Sequence, residues 1–264
     1  LPGDTYCRAN GINNAAQVIA SSYNAFDHNR AFVWQGGQKT ELAGLGGFPH
    51  SKALSVNDAG QVVGYAQTGD YDDNRELVAR AALWSDGKVP TDLGTLGGDY
   101  SAAYGINGRG QIVGKADTAS FGSTHAFLWQ NGRMADLGTL GGANSLALRV
   151  NDAGQVVGYS ETGNTTHAFL WQDGTMRDLG TLPSGATSEA HALNDRGQVV
   201  GASDDAAVLW QAGQVADLNR LVPADSGWTL QDATGINARG QIVGRGLAPD
   251  GHTHAFLLTP LPLR

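Results

Sequence analysis

Cysteine is nearly absent: Cys7 stands alone among 264 residues, which excludes an internal disulfide and any cysteine-built zinc cage. Proline is scarce, at 8 residues, and charged residues make up only 16% of the chain. Positive charge is in deficit, 17 Lys and Arg against 25 Asp and Glu for a net charge of −8, so the cationic footprint that duplex nucleic acid requires is missing. No run approaches the ~18 consecutive apolar residues of a membrane-spanning helix. Glycine, in contrast, is abundant at 38 residues, and the hydrophobic fraction of 41% is enough for a buried core. So much glycine with so little proline means many tight turns. The chain opens on Leu1-Pro2 with neither Met nor a charged, apolar leader, which suits a processed protein.

Internal repetition decides the architecture. The string Asn-x-x-Gly-Gln-Val/Ile-Val-Gly recurs with its Asn at 57, 107, 151, 194 and 237, and Asn13 heads a degraded first copy, so that successive Asn residues are 44, 50, 44, 43 and 43 positions apart. A second string, Ala-Phe-Leu-Trp or close to it, follows in each copy and ends at Trp34, Trp84, Trp129, Trp171, Trp210 and Leu258. A third, DLGTLGG, stands at Asp92 and Asp136, with looser versions at Glu41, Asp178 and Asp217 and none in the sixth copy. The repeats run approximately over 4–47, 48–98, 99–142, 143–185, 186–224 and 225–264.

Each copy reads as four short strands. Asn-x-x-Gly joins the first two as a hairpin, since Asn can bond its own backbone and Gly accepts positive φ. Asp86-Gly87, Asn131-Gly132 and Asp173-Gly174 fit the primed turns that join the third strand to the fourth. No segment has a convincing period of 3.6 residues, so almost no helix is expected. Antiparallel four-stranded repeats of about 44 residues fit the blades of a β-propeller. The expected fold is all-β: a single domain, 1–264, forming a six-bladed β-propeller whose last blade is three-stranded unless a terminus completes it. Joining the two ends into one composite blade would give five.

HAFLW at His125 and His167, HAFLL at His254, DLGTLGG at Asp92 and Asp136, and NDAGQVVG at Asn57 and Asn151 resemble the HAF-repeat family of bacterial extracellular proteins. The resemblance covers nearly the whole chain, with three motifs in fixed order, and implies an extracellular or cell-surface location rather than a reaction. Copies one and five depart most, with Arg30-Ala-Phe and Ala206-Ala-Val in place of His-Ala-Phe.

The repeated residues read first as scaffold. The five repeat Trp residues are expected to pack blade on blade, because buried aromatics dominate core energetics. His125, His167 and His254 each sit on a different blade and do not converge as metal ligands must. Asp58, Asp152 and Asp195 lack the alternating acidic run of a calcium loop. No metal and no cofactor is therefore expected. Loops between the second and third strands vary most: Gly64 to Trp84 is a separation of 20, but Gly201 to Trp210 only 9. The longest carries Asp70 to Glu76, which reads as a solvated charged loop before it reads as a lid.

The first strand carries the sharper signal. Four positions before each repeat Asn stand Ala9, Ala53, Ala103, Ala147, Ala190 and Ala233, small residues of the kind that crowding near a propeller axis requires. Five before it stand Arg8, Lys52, Ala102, Leu146, Glu189 and Asp232, and three before it Asn10, Leu54, Tyr104, Leu148, His191 and Thr234. Strand alternation puts both of these sets on the face opposite the alanines. The symmetry of the repeat is broken there, which points to one asymmetric site at the channel mouth.

Two chemistries fit that site. Glu189 as proton donor with Asp232 as nucleophile or base would hydrolyse a glycoside. Alternatively Arg8 or Lys52 neutralises a uronate carboxylate, His191 removes the adjacent proton and Tyr104 protonates the leaving oxygen, which is a lyase. Arg149 adds a cation, and Trp228, the one Trp outside the repeat position, is the best candidate for stacking on a sugar, with Tyr65 and Tyr159, each after the Gly of a second strand, the weaker ones. The expected partner is a poly- or oligosaccharide and the expected state a monomer. The competing reading is a lectin-like or adhesion module without chemistry, using repeated sites between blades.

Overall fold

The computed structural model describes residues 6–23, 29–72, 76–85 and 89–261. The Asp86-Gly87 turn and part of the Asp70 to Glu76 loop lie outside the described residues. Contacts divide the chain into two compact units, Leu1–Asp136 and Leu137–Arg264.

The first unit holds three antiparallel sheets, each a four-stranded meander in chain order. Their strands are Tyr6–Ile12, Val18–Tyr23, Asn29–Gln35 and Gln38–Leu42; Ser51–Val56, Val62–Tyr71, Leu77–Trp84 and Thr91–Asp92; and Gly97–Ile106, Ile112–Thr118, Thr124–Gln130 and Arg133–Asp136. The second unit repeats the plan with Ser145–Val150, Val156–Glu161, Thr166–Gln172 and Thr175–Asp178, then Ser188–Leu193, Val199–Ser203, Ala206–Gln211 and Gln214–Asp217. Its last sheet has three strands, Thr229–Ile236, Ile242–Leu247 and Thr253–Leu258. Helix among the described residues is limited to three 3-10 turns of three residues each.

The Asn-x-x-Gly-Gln string is accounted for atom by atom. In the fourth sheet Asn151 Oδ1 accepts from the backbone N–H groups of Ala153 (3.1 Å) and Gln155 (2.9 Å), closing the turn. Its Nδ2 donates to Gln155 Oε1 at 2.8 Å and to the carbonyl of Asn194, the equivalent residue of the next sheet, at 3.1 Å. The same bond runs from Asn194 to Asn237 (3.0 Å) in this unit, and from Asn13 to Asn57 (2.9 Å) and Asn57 to Asn107 (3.0 Å) in the first. One side chain thus shapes its own hairpin and registers its sheet on the next, and as a buried amide it is satisfied in both roles. Asp58 and Asp195 act in the same direction, accepting from the backbone N–H of Asn14 and Asp152.

Packing follows the same order. One face of the first sheet (Ile19, Ala31, Leu42) meets the opposite face of the second (Ala53, Val62, Ala82, Trp84). The second meets the third in the same manner through Val63, Ala81 and Leu83 against Ala103, Ile112 and Phe127. In the second unit Val157 and Ala168 meet Ala190, Val199, Val208 and Trp210, and Val200 and Ala207 meet Leu230, Ala233, Ile242 and Phe256. Trp84 and Trp210 are buried core residues, whereas Trp34 is exposed. Burying one such large side chain contributes roughly 1.5–3 kcal/mol.

The pairing of strand three with strand four explains why the His-Ala-Phe and Asp-Leu-Gly strings travel together. Phe127 is registered on Asp136 and Phe169 on Asp178, so the His two residues before each Phe reaches the Asp: His125 Nδ1 is 2.8 Å from Asp136 Oδ2, and His167 Nδ1 is 2.7 Å from Asp178 Oδ2. In the first sheet both partners change together, and Arg30 lies 3.8 Å from Glu41.

The alternation expected on the first strand fails at one point. In every sheet the register slips between the fourth and second positions before the repeat Asn, as at Ala147/Arg149 and Ala190/Ala192, or across the matching step of the facing strand, Val113/Gly114. The third position, which includes Tyr104 and His191, is therefore the extra residue of a β-bulge. It does not share a regular face with the fifth position, because a bulge breaks the period of two and re-aims the side chain. The bulge draws the carbonyl of the fifth position onto the second strand. A Cβ at Gly201 would overlap the Glu189 carbonyl oxygen, and one at Gly244 the Asp232 carbonyl oxygen, which is why the repeat ends in Val-Gly.

Candidate functional site: a polar recess in the second unit

The first strands of the fifth and sixth sheets converge on one cavity of about 340 Å³ in the second unit, lined by Glu189, His191, Gln231, Asp232, Arg245 and Asp204 among others. The bulge presents His191, whose Nε2 lies 3.2 Å from Asp232 Oδ1. The approach is off the hydrogen-bond axis, so the enclosed Oδ1 meets no aligned donor. Oδ2 accepts from Arg245 Nε at 3.3 Å. The His191 ring first, then Arg245, holds the Asp232 carboxyl below its ordinary value against the opposing effect of burial. Asp232 is thus a fixed negative charge between the His191 ring and the Arg245 guanidinium, and its own side chain is only 15% exposed while that of Arg245 is 65% exposed.

The rim is also ordered. Asp204 accepts from the Thr187 hydroxyl at 2.8 Å and from the backbone N–H groups of Ala186 and Thr187. These bonds, the Thr187 hydroxyl foremost, hold its carboxyl below the ordinary value, with desolvation opposing them. On the fourth sheet Tyr159 senses Glu189: burial, then the Glu189 charge, push its phenol up.

Glu189, His191 and Asp232 therefore come together in the second unit. Arg149, in the same unit, donates to the Leu148 carbonyl at 2.8 Å. Its side chain is exposed, yet enough protein surrounds the guanidinium that desolvation lowers it below its ordinary value; the access to water keeps it charged. Trp228 packs, half-buried, on the core of this unit beside the sixth sheet, so part of its surface is committed to scaffold. Arg8, Lys52 and Tyr104 belong to the first unit. Arg8 is exposed and registered opposite Ser21. The Lys52 ammonium lies 5.9 Å from the centroid of the Tyr65 ring. Tyr104 is half-buried at its bulge and, after burial, contributes to pushing the neighbouring Tyr100 phenol well above its ordinary value.

Sequence reasoning missed Arg245 and gave Tyr159 only a minor role. Both stand directly after the Gly of a second strand, the position registered across from the fifth residue before the Asn: Leu146 faces Tyr159, Glu189 faces Ala202 and Asp232 faces Arg245. Drawing the hairpin register through the repeat would have exposed that second varied position. Among the described residues no group of three or more His, Cys, Asp or Glu side chains is placed to hold a metal ion, and no helix is long and apolar enough to cross a membrane.

Meander sheets repeated in this manner have counterparts among solved structures. A puromycin-hydrolyzing peptidase from Mycobacterium tuberculosis aligns with a TM-score of 0.59 at 14% identity, over 97% of this chain and 44% of that one. A protein from Agrobacterium tumefaciens assigned as TolB aligns at 0.58 and 12% identity, over 98% and 91% of the two chains. The β-propeller domain of the Trilobed protease from Pyrococcus furiosus, described as having an open velcro topology, aligns at 0.51 and 11% identity, over 76% and 63%. The chain thus spans less than half the length of the peptidase. At these identities the likeness defines the fold, a β-propeller, and nothing further. No curated protein sequence matches the chain. Residues 22–253 match the family described as a protein of unknown function, DUF3466, and the chain belongs to that family.

Proposed function

We propose that the chain is a six-bladed propeller, one blade per sheet, forming a single domain over 1–264, that works outside the cell, binds an acidic poly- or oligosaccharide in the recess around Asp232, and cleaves it by elimination. The extracellular setting rests on the resemblance to HAF-repeat proteins. The carrying observation is the convergence of His191, Arg245 and Glu189 around an enclosed carboxylate that occurs once among repeated sheets.

The roles follow from the environment of each group. Asp232, held charged beside Nε2, positions the His191 ring and leaves Nδ1 as the base. Arg245, mostly exposed, offers its remaining N–H groups to a uronate carboxylate and stabilises the charge that develops when the adjacent carbon loses its proton. His191 takes that proton, the carbon–oxygen bond to the leaving sugar breaks, and a carbon–carbon double bond forms. Tyr159, whose phenol stays protonated because burial and Glu189 raise it, returns a proton to the leaving oxygen. Asp232 is a poor hydrolytic acid in this setting, since its carboxyl is lowered, and a hindered nucleophile, since one oxygen is engaged by Arg245, whereas glycoside hydrolysis needs one carboxyl raised and the other free.

A panel of uronate polymers read by the ultraviolet absorbance of the unsaturated product tests this. Product from the wild type and none from His191→Ala or Tyr159→Phe is expected. Reducing ends released without that absorbance would move the site to hydrolysis, and a bound but unchanged polymer would move it to lectin-like recognition.

A further inference from the structure

The fifth sheet departs from its neighbours at one cross-strand pair. The residue directly after the Gly of the second strand faces the fifth residue before the repeat Asn, and in the second, third, fourth and sixth sheets it is large: Tyr65, Lys115, Tyr159 and Arg245. In the fifth sheet it is Ala202, and the residue that Ala202 faces is Glu189. Both line the recess of about 340 Å³. Space opens beside Glu189 because a methyl group stands where a ring or a long basic side chain stands in those four sheets.

The sixth sheet shows the filled version of the same pair. Asp232 faces Arg245 and accepts from its Nε at 3.3 Å. Glu189 is half-buried, and among the described residues it makes no hydrogen bond and no ion pair. In the first sheet a charge also faces a small residue, Arg8 opposite Ser21, but Arg8 is exposed and keeps its hydration. A carboxylate partly withdrawn from water loses solvation that a cation restores. The surrounding charge has the same sign: Glu189, Asp204, Asp205 and Asp232 line the recess, against Arg245 as the one lysine or arginine among the described lining residues. A ligand carrying a carboxylate on every sugar would bring a second anion among these groups and be repelled.

We propose that the space beside Ala202 receives a cationic group of the ligand, the protonated amine of an amino sugar, which pairs with Glu189 as Arg245 pairs with Asp232. The inference rests on the uronate reading of the Arg245 side of the recess and narrows the ligand to a saccharide in which a uronate adjoins a sugar with a free amine. Arg245 takes the carboxylate of one sugar and Glu189 the ammonium of its neighbour, both charge-assisted contacts. A uronate homopolymer sets like charge against Glu189, and an N-acetylated amine brings bulk without charge, so both are discriminated against.

Calorimetry in the His191→Ala background, where the proposed turnover is slowed, tests the pairing with two oligosaccharides that alternate a uronate with a hexosamine, one with free amines and one N-acetylated. The free-amine form is expected to bind about tenfold more tightly, as a contact to a charged group should. Adding Glu189→Gln removes that preference; it keeps the shape of the side chain, so the change reads charge and not folding. Ala202→Arg, which gives Glu189 the partner that Asp232 already has, removes it as well. Equal affinity for the two forms, or a preference that survives Glu189→Gln, overturns the proposal. The uronate reading fails separately: if Arg245→Ala leaves affinity unchanged while the free amine is still preferred, the carboxylate contact is wrong and the amine contact stands. If neither form binds, both are overturned.

Discussion

Beside an exposed turn pair, His254–Asp250, the molecule holds a repeated His–Asp contact and an enclosed one, and the difference between these two separates scaffold from site. His125–Asp136 and His167–Asp178 join strands three and four of a single sheet, recur at the same repeat position, and leave their carboxylates over 40% exposed. His191–Asp232 joins the first strands of two sheets, occurs once among the described residues, encloses its carboxylate, and adds Arg245 on the far oxygen. Chemistry that recurs with the repeat serves each sheet alike, so it answers to packing. Chemistry that appears once needs another cause, and a recess with an ordered rim provides one.

The comparison breaks or sharpens under substitution. The largest effect is expected on turnover: His191→Ala lowers the elimination rate by roughly 10²–10⁴, the usual contribution of a general base, with the melting temperature nearly unchanged. An early-melting His191→Ala would place that pair with the scaffold instead. Phe169→Ala, in the fully buried core of the fourth sheet, destabilises by about 3–5 kcal/mol, read by denaturant unfolding. Asn194→Ala removes the acceptor of two turn N–H groups, those of Arg196 and Gln198, and the bond to the Asn237 carbonyl, a loss of about 1–3 kcal/mol. His167→Ala, which removes a surface pair, changes stability by only about 0–1 kcal/mol.

Asp232→Asn adds a pH signature. The folded carboxyl is lowered from the ordinary 3.8, so its contribution to stability is complete above that value and is lost as pH falls through the lower folded value. Wild type and variant should therefore differ in melting temperature near neutrality and converge in acid. A difference that is constant with pH would mean that the charge of Asp232 is not what its neighbours hold.

The strand count, the meander and the scaffold role of the repeat residues were legible in the sequence because each recurs with a fixed period. Asn151 and its equivalents could be assigned a turn, although their second bond to the next sheet could not, since spacing along one chain carries no information about stacking. The convergence of Glu189, His191 and Asp232 was readable as broken symmetry at two positions of one strand. Arg245 was not, because its partnership depends on hairpin register. The bulge at His191 was hidden as well: it inserts a residue without changing the period of the repeat, and only the ladder of backbone pairs reveals it.

The central claim is that one recess, and no repeated surface, binds the saccharide. Calorimetric titration of His191→Ala, in which the proposed turnover is slowed, with a uronate oligosaccharide tests it most directly. One molecule bound per chain, lost when Arg245→Ala is added, is the expected result. Five or six bound per chain, or binding indifferent to Arg245, would contradict the account.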